Sequence, residues 1–415
     1  MERTRTILHS DLNNCYASIE CLYNPSIRGL PGAVCGSTED RHGIVLAKND
    51  LAKAAGVKTG NAIWQARQLC PKLVTVPPHY DWYLKFSKLT QEIYQDYTDQ
   101  VEPFGLDECW MDVTGSMGLV GSGESLAAEI RRRIKSELGV TASVGVSYNR
   151  IFAKLGSDMK KPDATTVIAL DDYRQKVWPL PVSDLLYVGP ATTRKLKKYG
   201  INTIGDLAQT EPEFLHQKLG KIGLMLYGFA NGLDDSPVGL AGARQKIKSV
   251  GNSTTTPRDL ETEKDVKITL YALCESVSAR LREYGFRCAG VQISLRDNAL
   301  ESFERQMKLR FPSCTTQGIF SAAFQLYQAN RPEKALRSIG VKGINLIPMD
   351  DVMQLSLYSH IQKQQGEEML EEAIDHIRGR YGYFAIQRGV QLADRELSAL
   401  DAKHEHVIHP VSFLN

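Results

Sequence analysis

The stretch Gly105-Leu106-Asp107-Glu108-Cys109-Trp110-Met111-Asp112-Val113 decides how this sequence folds. Adjacent carboxylates between β-favouring residues read as the tight turn of a hairpin, with Val101 before it and the alternation Cys109, Met111, Val113 after it. Turns collect acids for solvation alone; the amino terminus suggests chemistry here. Residues 6–12 (Thr-Ile-Leu-His-Ser-Asp-Leu) read as a buried strand ending on an acid, and Asn13-Asn14-Cys15-Tyr16 then opens a helix that Asn13 or Asn14 is expected to cap. Two strands ending in carboxylates can present them at one sheet edge. Asp11, Asp107 and Glu108 would supply hard oxygen ligands for two Mg²⁺ ions, which in such sites lie roughly 3.5–4 Å apart and serve in-line displacement at a triphosphate.

The patterns Asp11-Leu12-Asn13-Asn14-Cys15-Tyr16-Ala17-Ser18-Ile19-Glu20 and Leu106 to Val113 resemble the palm of Y-family (translesion) DNA polymerases, of the bacterial DNA polymerase IV or impB/mucB/samB type. The resemblance implies an α+β multidomain right-hand polymerase: a βαββαβ palm (1–14 and 80–168), small fingers (15–79), a helical helix-hairpin-helix thumb (169–238), a linker (239–244), an α/β little finger that binds DNA (245–348) and an acidic tail (349–415). It implies that Asp11, Asp107 and Glu108 are catalytic and hold two Mg²⁺, with Mn²⁺ a possible substitute and the Leu12 backbone carbonyl a further ligand. Asn14, Cys15, Tyr16, Lys53 and Lys161 would then bind nucleotide, Tyr16 as the steric gate against a 2′-hydroxyl. Read without the resemblance, Tyr16 is a core aromatic of the first helix.

The 415 residues are too many for one ordinary core, and about 150 residues per domain suggests two to four. A composition of 42% hydrophobic and 24% charged residues is that of a soluble globular protein. Without an apolar run of ~18 residues, and with Met-Glu-Arg-Thr-Arg running straight into a core strand, a cytoplasmic location is expected. Eight cysteines without a C-x-x-C pair indicate neither a zinc ribbon nor a redox pair and read as reduced thiols. Net charge is only +2, but residues 244–348 hold 17 Lys/Arg against 10 Asp/Glu, and residues 349–415 hold 6 against 11. A basic segment followed by an acidic one suggests a polyanion partner for the first.

After the first helix, short strands are expected at 33–35 and 44–47, then a helix stopped by Gly56. In the family this finger helix offers a Tyr and an Arg to the triphosphate; Asp50 and Lys53 stand at those positions here. Lysine meets phosphate as a point charge without the arginine fork, and Asp50 would repel the triphosphate unless Lys48 or Lys53 neutralises it. The palm resumes near Tyr80 with a helix, and another at 124–138 turns Leu126, Ile130, Ile134 and Leu138 inward. A strand at 141–147, a helix at 149–158 and the break at Pro162 follow. The family's Lys-Pro lysine, which reaches the triphosphate, is Lys161.

Residues 185–207 read as helix, Gly turn, helix and a second short helix, and resemble a helix-hairpin-helix in which turn amides grip a DNA phosphate. Gly189, Ala191 and Thr192 would make that grip, with Ala191 where a second glycine is usual. Residues 246–257 are expected as a strand, 262–285 as a helix, 291–296 and 301–310 as a hairpin, 316–329 as a helix and 336–346 as a strand. The open sheet face would carry Lys248, Ser249 and Arg296 to DNA. A helix near 365–380 is expected in the tail, where Gln354-Leu355-Ser356-Leu357-Tyr358 resembles the peptide that anchors such polymerases in a groove of the bacterial sliding clamp.

The expected activity is template-directed, error-prone DNA synthesis across lesions by a monomer acting on primer-template DNA and dNTP. Asp50 motivates a rival of another class, a catalytically weak or inactive DNA- and clamp-binding damage-response factor. A palm-type nucleotidyl cyclase would share the acids but need neither the helix-hairpin-helix nor the basic carboxy-terminal segment.

Overall fold

The computed structural model describes residues 5–37, 43–243, 246–351 and 361–401. They fall into two compact units, one built from residues 5–36 and 44–243 and the other mainly from 246–401.

The first unit begins with β1 (Ile7–Leu12), every residue of which is buried, and α1 (Cys15–Tyr23), which ends before Pro25 as expected. Neither asparagine caps α1. Asn14 occupies the cap position in the left-handed region (φ 49°) without a capping hydrogen bond, and Asn13 turns its amide to Ser143 and accepts from Thr141 and the Asp163 amide. Competing tertiary partners outbid the local cap.

A small sheet of β2 (Gly32–Cys35), β3 (Val45–Lys48) and β4 (Val74–Val76) follows, ordered β3-β2-β4, with α2 (Asp50–Ala54) and α3 (Ile63–Leu69) beside it. The third strand pairs parallel with β2 and was not expected; three residues are too few to show a period. Gly56 ends the α2 turn at φ +89°, a conformation that favours glycine.

The chain then gives α4 (Tyr80–Gln95), β5 (Val101–Pro103), β6 (Glu108–Asp112), α5 (Met117–Val120), α6 (Gly123–Arg133), β7 (Ala142–Ser147), α7 (Arg150–Met159) and β8 (Thr165–Ile168). The larger sheet runs β5-β6-β1-β7-β8, antiparallel except for β7 against β8. The helix expected to 138 ends instead in a π-helical turn over Ile134–Leu138. Cys15 and Ile19 of α1 share a core with Tyr83 and Phe86 of α4 and with Leu126, Ile130 and Ile134, and α1 also lies against β2 and β3 of the small sheet, so it joins the two sheets.

Helix α7 lies against β7 at a glycine contact. A Cβ on Gly145 would stand 1.9 Å from the Ala153 carbonyl oxygen and 2.5 Å from the Ser157 nitrogen, and a Cβ on Gly156 would stand 3.2 Å from the Gly145 Cα. Any side chain at 145 forces the helix outward, so Gly145→Ala should cost at least the ~1–3 kcal/mol typical of overpacking and impair whatever α7 positions. Urea unfolding of the purified variant, with its activity measured alongside, checks both.

A 3₁₀ turn spans Val182–Asp184, and residues 185–188, expected as the first helix of a helix-hairpin-helix, form a turn in which Tyr187 sits at φ 69°. The following helices are α8 (Tyr173–Val177, before that turn), α9 (Pro190–Lys198), α10 (Ile204–Gln209), α11 (Pro212–Leu219) and α12 (Lys221–Ala230). Pro190 starts α9, where its missing N–H costs nothing. Ala191 lies within α9, so no glycine is required there.

In the second unit, β9 (Ser249–Leu260), β10 (Phe286–Asp297), β11 (Ser302–Ser313) and β12 (Leu336–Pro348) form an antiparallel sheet ordered β11-β10-β12-β9. The first strand starts three residues later than expected and runs further. Helices α13 (Glu263–Glu283) and α14 (Thr316–Ala329) pack with it around Val277, Leu281, Val291, Ile293, Ile319 and Val341. The register puts Ser249, Ser253, Arg296, Ser302, Lys308 and Lys342 on the opposite side.

The tail contributes α15 (Ile361–Tyr381) and α16 (Arg395–Ser398). Buried Glu275 on α13 is met by Arg378 at 3.1 Å, Arg388 at 3.0 Å and the Tyr383 hydroxyl at 2.8 Å. The tail is therefore part of this unit. Residues 354–358 lie outside the described residues. Among those described, no helix is long and apolar enough to cross a membrane, and all eight cysteines are unpaired.

Candidate active site

The antiparallel ladder of β1 and β6 sets Asp11 directly opposite Glu108. The Leu12 amide donates to the Asp107 carbonyl at 2.9 Å, which ties the bend before β6 to the end of β1. Three acids from segments about a hundred residues apart thus share one sheet edge. Asp112, four residues on, is spent structurally: its Oδ1 accepts from the Thr114 amide at 3.0 Å and hydroxyl at 2.6 Å.

Two ammonium groups stand among the acids. Lys161 Nζ is 2.7 Å from Asp11 Oδ2 and 2.9 Å from Asp158. Lys154 Nζ, from α7, is 2.8 Å from Glu108 Oε2, 3.6 Å from Asp11 Oδ2 and 3.1 Å from Asp158. Lys161 was expected from the sequence; Lys154 and Asp158 were not singled out. Their signal was a charged i, i+4 pair on a helix otherwise directed to the core.

Burial and the neighbouring Glu108 push the Asp11 carboxyl up, against the pull of the two lysines. Burial, then Asp11 and Glu108, raises Asp107 to about 6. Burial also pushes Glu108 up, but His9 and Lys154 outweigh it and leave Glu108 below the usual carboxylate range. Burial alone would lower the Lys154 ammonium, yet Glu108, Asp158 and Asp11 hold it above its ordinary value. His9, fully buried on β1, is lowered to about 4 chiefly by desolvation. It is neutral near pH 7. Its Nδ1 is 2.8 Å from the Ser157 hydroxyl, and its Nε2 approaches Glu108 Oε2 to 3.3 Å without an aligned hydrogen bond.

The donor set suits a hard divalent cation. Asp11 and Asp107 are held above their ordinary pKa partly by neighbouring carboxylates, a repulsion that a cation relieves, and buried Glu108 Oε2 already has a cation, Lys154, beside it. Among the described residues no three His, Cys, Asp or Glu side chains are gathered as a ready metal cluster; the lysines hold these carboxylates as ion pairs instead.

Tyr16 is half-buried at this edge. Its ring stacks on Tyr83 at 4.0 Å and 6°, and meets Tyr80 edge-on at 6.2 Å. Cys15 is buried, and its thiol is pushed up by burial and then by Asp107 and Asp11. Asp50 accepts from the Asn14 side-chain amide at 3.0 Å, so a hydrogen bond joins the first turn of α2 to the start of α1. Lys53 is exposed on α2. Lys48 reaches Thr59 at 3.1 Å and is lowered by burial and then by Lys53 and Lys161. Lys48 thus feels the positive charge of both Lys53 and Lys161, an arrangement suited to a polyanion.

Gly189 caps α9 in extended backbone with no side chain bonded to the helix start, and Lys195, Lys197 and Lys198 lie in its last turn. Ser249 and Arg296 share one face of the second unit's sheet, and Lys248 is exposed just before it.

The five-stranded sheet sets Asp11 opposite Glu108 at the ends of neighbouring strands, with Asp107 in the adjoining bend, an arrangement of the kind that nucleotidyl-transfer palms use. Comparison with known proteins agrees. The impB/mucB/samB family profile matches residues 10–158, its C-terminal domain profile matches 247–357, and a thumb-domain profile described for DNA polymerase-iota matches 183–234. DNA polymerase IV of Acetivibrio thermocellus is 51% identical over 397 residues, covering 95% of this chain and 100% of that protein. DNA polymerase IV of Moorella thermoacetica is 38% identical (93% and 96% covered), and DNA polymerase IV 1 of Bacillus subtilis 34% (95% of each). A solved Y-family DNA polymerase chimera, Dbh-Dpo4(243-245)-Dbh, shares the fold with a TM-score of 0.74 at 24% identity, over 83% of this chain and 99% of that one. The chain belongs to the impB/mucB/samB family of Y-family DNA polymerases and is of the DNA polymerase IV kind.

Proposed function

We propose that this translesion DNA polymerase runs its chemistry on Asp11, Asp107 and Glu108, with the Leu12 carbonyl, and that these groups hold two Mg²⁺ ions. The observation that supports this most is the pairing of Asp11 with Glu108 in the β1–β6 ladder. The ions, when bound, supply Lewis-acid activation of the primer 3′-hydroxyl and neutralise charge on the triphosphate; Mn²⁺ suits the same oxygens. Asn14, Cys15 and Tyr16 form the floor beneath the sugar, with Tyr16 as the gate. Lys53 and Lys161 meet the phosphates. Asp50, turned to Asn14, braces the fingers.

Residues 1–14 and 80–168 form the palm, 15–79 the fingers and 169–238 the thumb. The amides at Ala191 and Thr192, behind Gly189, grip a DNA phosphate. Lys248, Ser249 and Arg296 belong to a salt-sensitive DNA face, and Gln354, Leu355, Leu357 and Tyr358 to a clamp peptide. The enzyme is a cytoplasmic monomer.

Primer extension with Mg²⁺ and single dNTPs, on undamaged and abasic templates, tests the reading. Templated addition that continues past the abasic site supports it. DNA binding without extension would instead favour the damage-response factor that Asp50 suggested. Lys161→Met should raise the KM for dNTP by ~10- to 100-fold, the loss of a charge-assisted hydrogen bond of about 1.5–3 kcal/mol; steady-state single-nucleotide kinetics reads it directly.

A further inference from the structure

Helix α7 carries a charge that no step above uses. The Lys154 side chain is only 12% exposed, and its ammonium lies among Glu108 at 2.8 Å, Asp158 at 3.1 Å and Asp11 at 3.6 Å. Lys161 is more exposed, at 29%, and follows the end of α7, so its side chain can leave Asp11 for a phosphate. Lys154 has no such freedom. It sits mid-helix, and its helix is pressed onto β7 through Gly145 and Gly156. The start of the same helix is held by Arg150, whose guanidinium lies 4.3 Å from the Trp110 ring and 2.7 Å from Glu102.

We propose that Lys154 is a positioning residue, a fixed counter-charge that holds Glu108 and Asp11 side by side before the divalent ions bind. Asp158, one turn further along, fixes the ammonium from the other side. This rests on the assignment of Asp11, Asp107 and Glu108 as metal ligands. Two consequences follow from electrostatics. A nearby permanent cation opposes binding of divalent ions, so neutralising it tightens their binding to the nucleotide-free protein. It also orients Glu108, so neutralising it lowers kcat with little effect on the KM for dNTP, unlike loss of Lys161.

The test uses the full-length protein without DNA or nucleotide, titrated with Mn²⁺ and followed by electron paramagnetic resonance of free Mn²⁺. Thermal melts with and without Mn²⁺ accompany it. In Lys154→Met, Mn²⁺ affinity should rise several-fold, the melting temperature without metal should fall, and the rise on adding Mn²⁺ should exceed that of the wild type. Lys154→Arg, which keeps the charge, should stay near the wild type in Mn²⁺ affinity. If the methionine variant does not fold, Lys154→Gln, able to hydrogen-bond Glu108, serves in its place with the same expectation. Unchanged Mn²⁺ affinity in the neutral variant, with binding lost in Asp107→Ala, overturns the role of Lys154 alone. Mn²⁺ binding that survives unchanged in Asp107→Ala overturns the metal assignment itself.

Discussion

Asp107→Ala should reduce primer extension by at least about 10²–10³-fold, the scale on which one preorganised electrostatic stabiliser of a transition state acts, while DNA binding stays close to wild type. Asp107 lies in the bend between β5 and β6, outside the ladder, and its carboxylate accepts from its own backbone amide, a bond that ties no distant segment. Burial and its two acidic neighbours hold its carboxyl up at about 6, so replacing it relieves a repulsion in the metal-free protein. The variant should therefore fold at least as well as the wild type. Parallel measurements of extension, DNA binding by fluorescence anisotropy and thermal unfolding separate these effects. Asp112→Ala is the contrast: it strips the Thr114 amide of its acceptor and leaves Arg5, 3.4 Å away, without its carboxylate. A loss of stability is expected there. If Asp107→Ala extended primers at the wild-type rate, the three-acid site would be wrong.

Tyr16→Ala should lower discrimination against ribonucleotides by about 100-fold, within the range available to a steric pocket wall, and leave incorporation of the matched dNTP within a few-fold. The argument depends on rigidity. Tyr16 lies flat on Tyr83, Tyr80 meets both rings edge-on, and the Tyr83 hydroxyl is bonded to buried Glu20. A wall backed by stacked aromatics cannot swing aside for a 2′-hydroxyl. Competition between rNTP and dNTP in single-turnover extension measures the ratio. An unchanged ratio would leave Tyr16 as a core aromatic of α1 and nothing more.

Much of the site was legible locally because its parts have short-range signatures. The hairpin acids stand at a turn between alternating strand residues, and Asp11 is the next-to-last residue of a strand of six buried residues; Lys161, before Pro162, was marked by the family resemblance. The long helices of the second unit, α13 and α14, emerged close to their expected bounds, since fourteen and twenty-one residues display the helical period several times over. Weaker signals failed where they were short. The three-residue strand β4 was not expected, and Leu185 to Val188, expected as a helix, lead instead into the left-handed Tyr187 and the extended Gly189 before α9.

By itself the sequence singled out the three acids and most of the longer strands and helices, because these follow from patterns within about ten residues of chain, while Tyr16 and Lys161 were picked out by the family resemblance. Only the tertiary structure decided which partners those groups meet. Asn14 reaches Asp50 across thirty-six residues instead of capping its own helix, Glu275 is held by arginines about a hundred residues further along, and Lys154 stands between Glu108 and Asp11. Such choices are made by packing and charge between distant segments. At Lys154 the deciding contact is Gly145 against α7, where the absence of one Cβ lets a helix come close enough to put its ammonium among the acids.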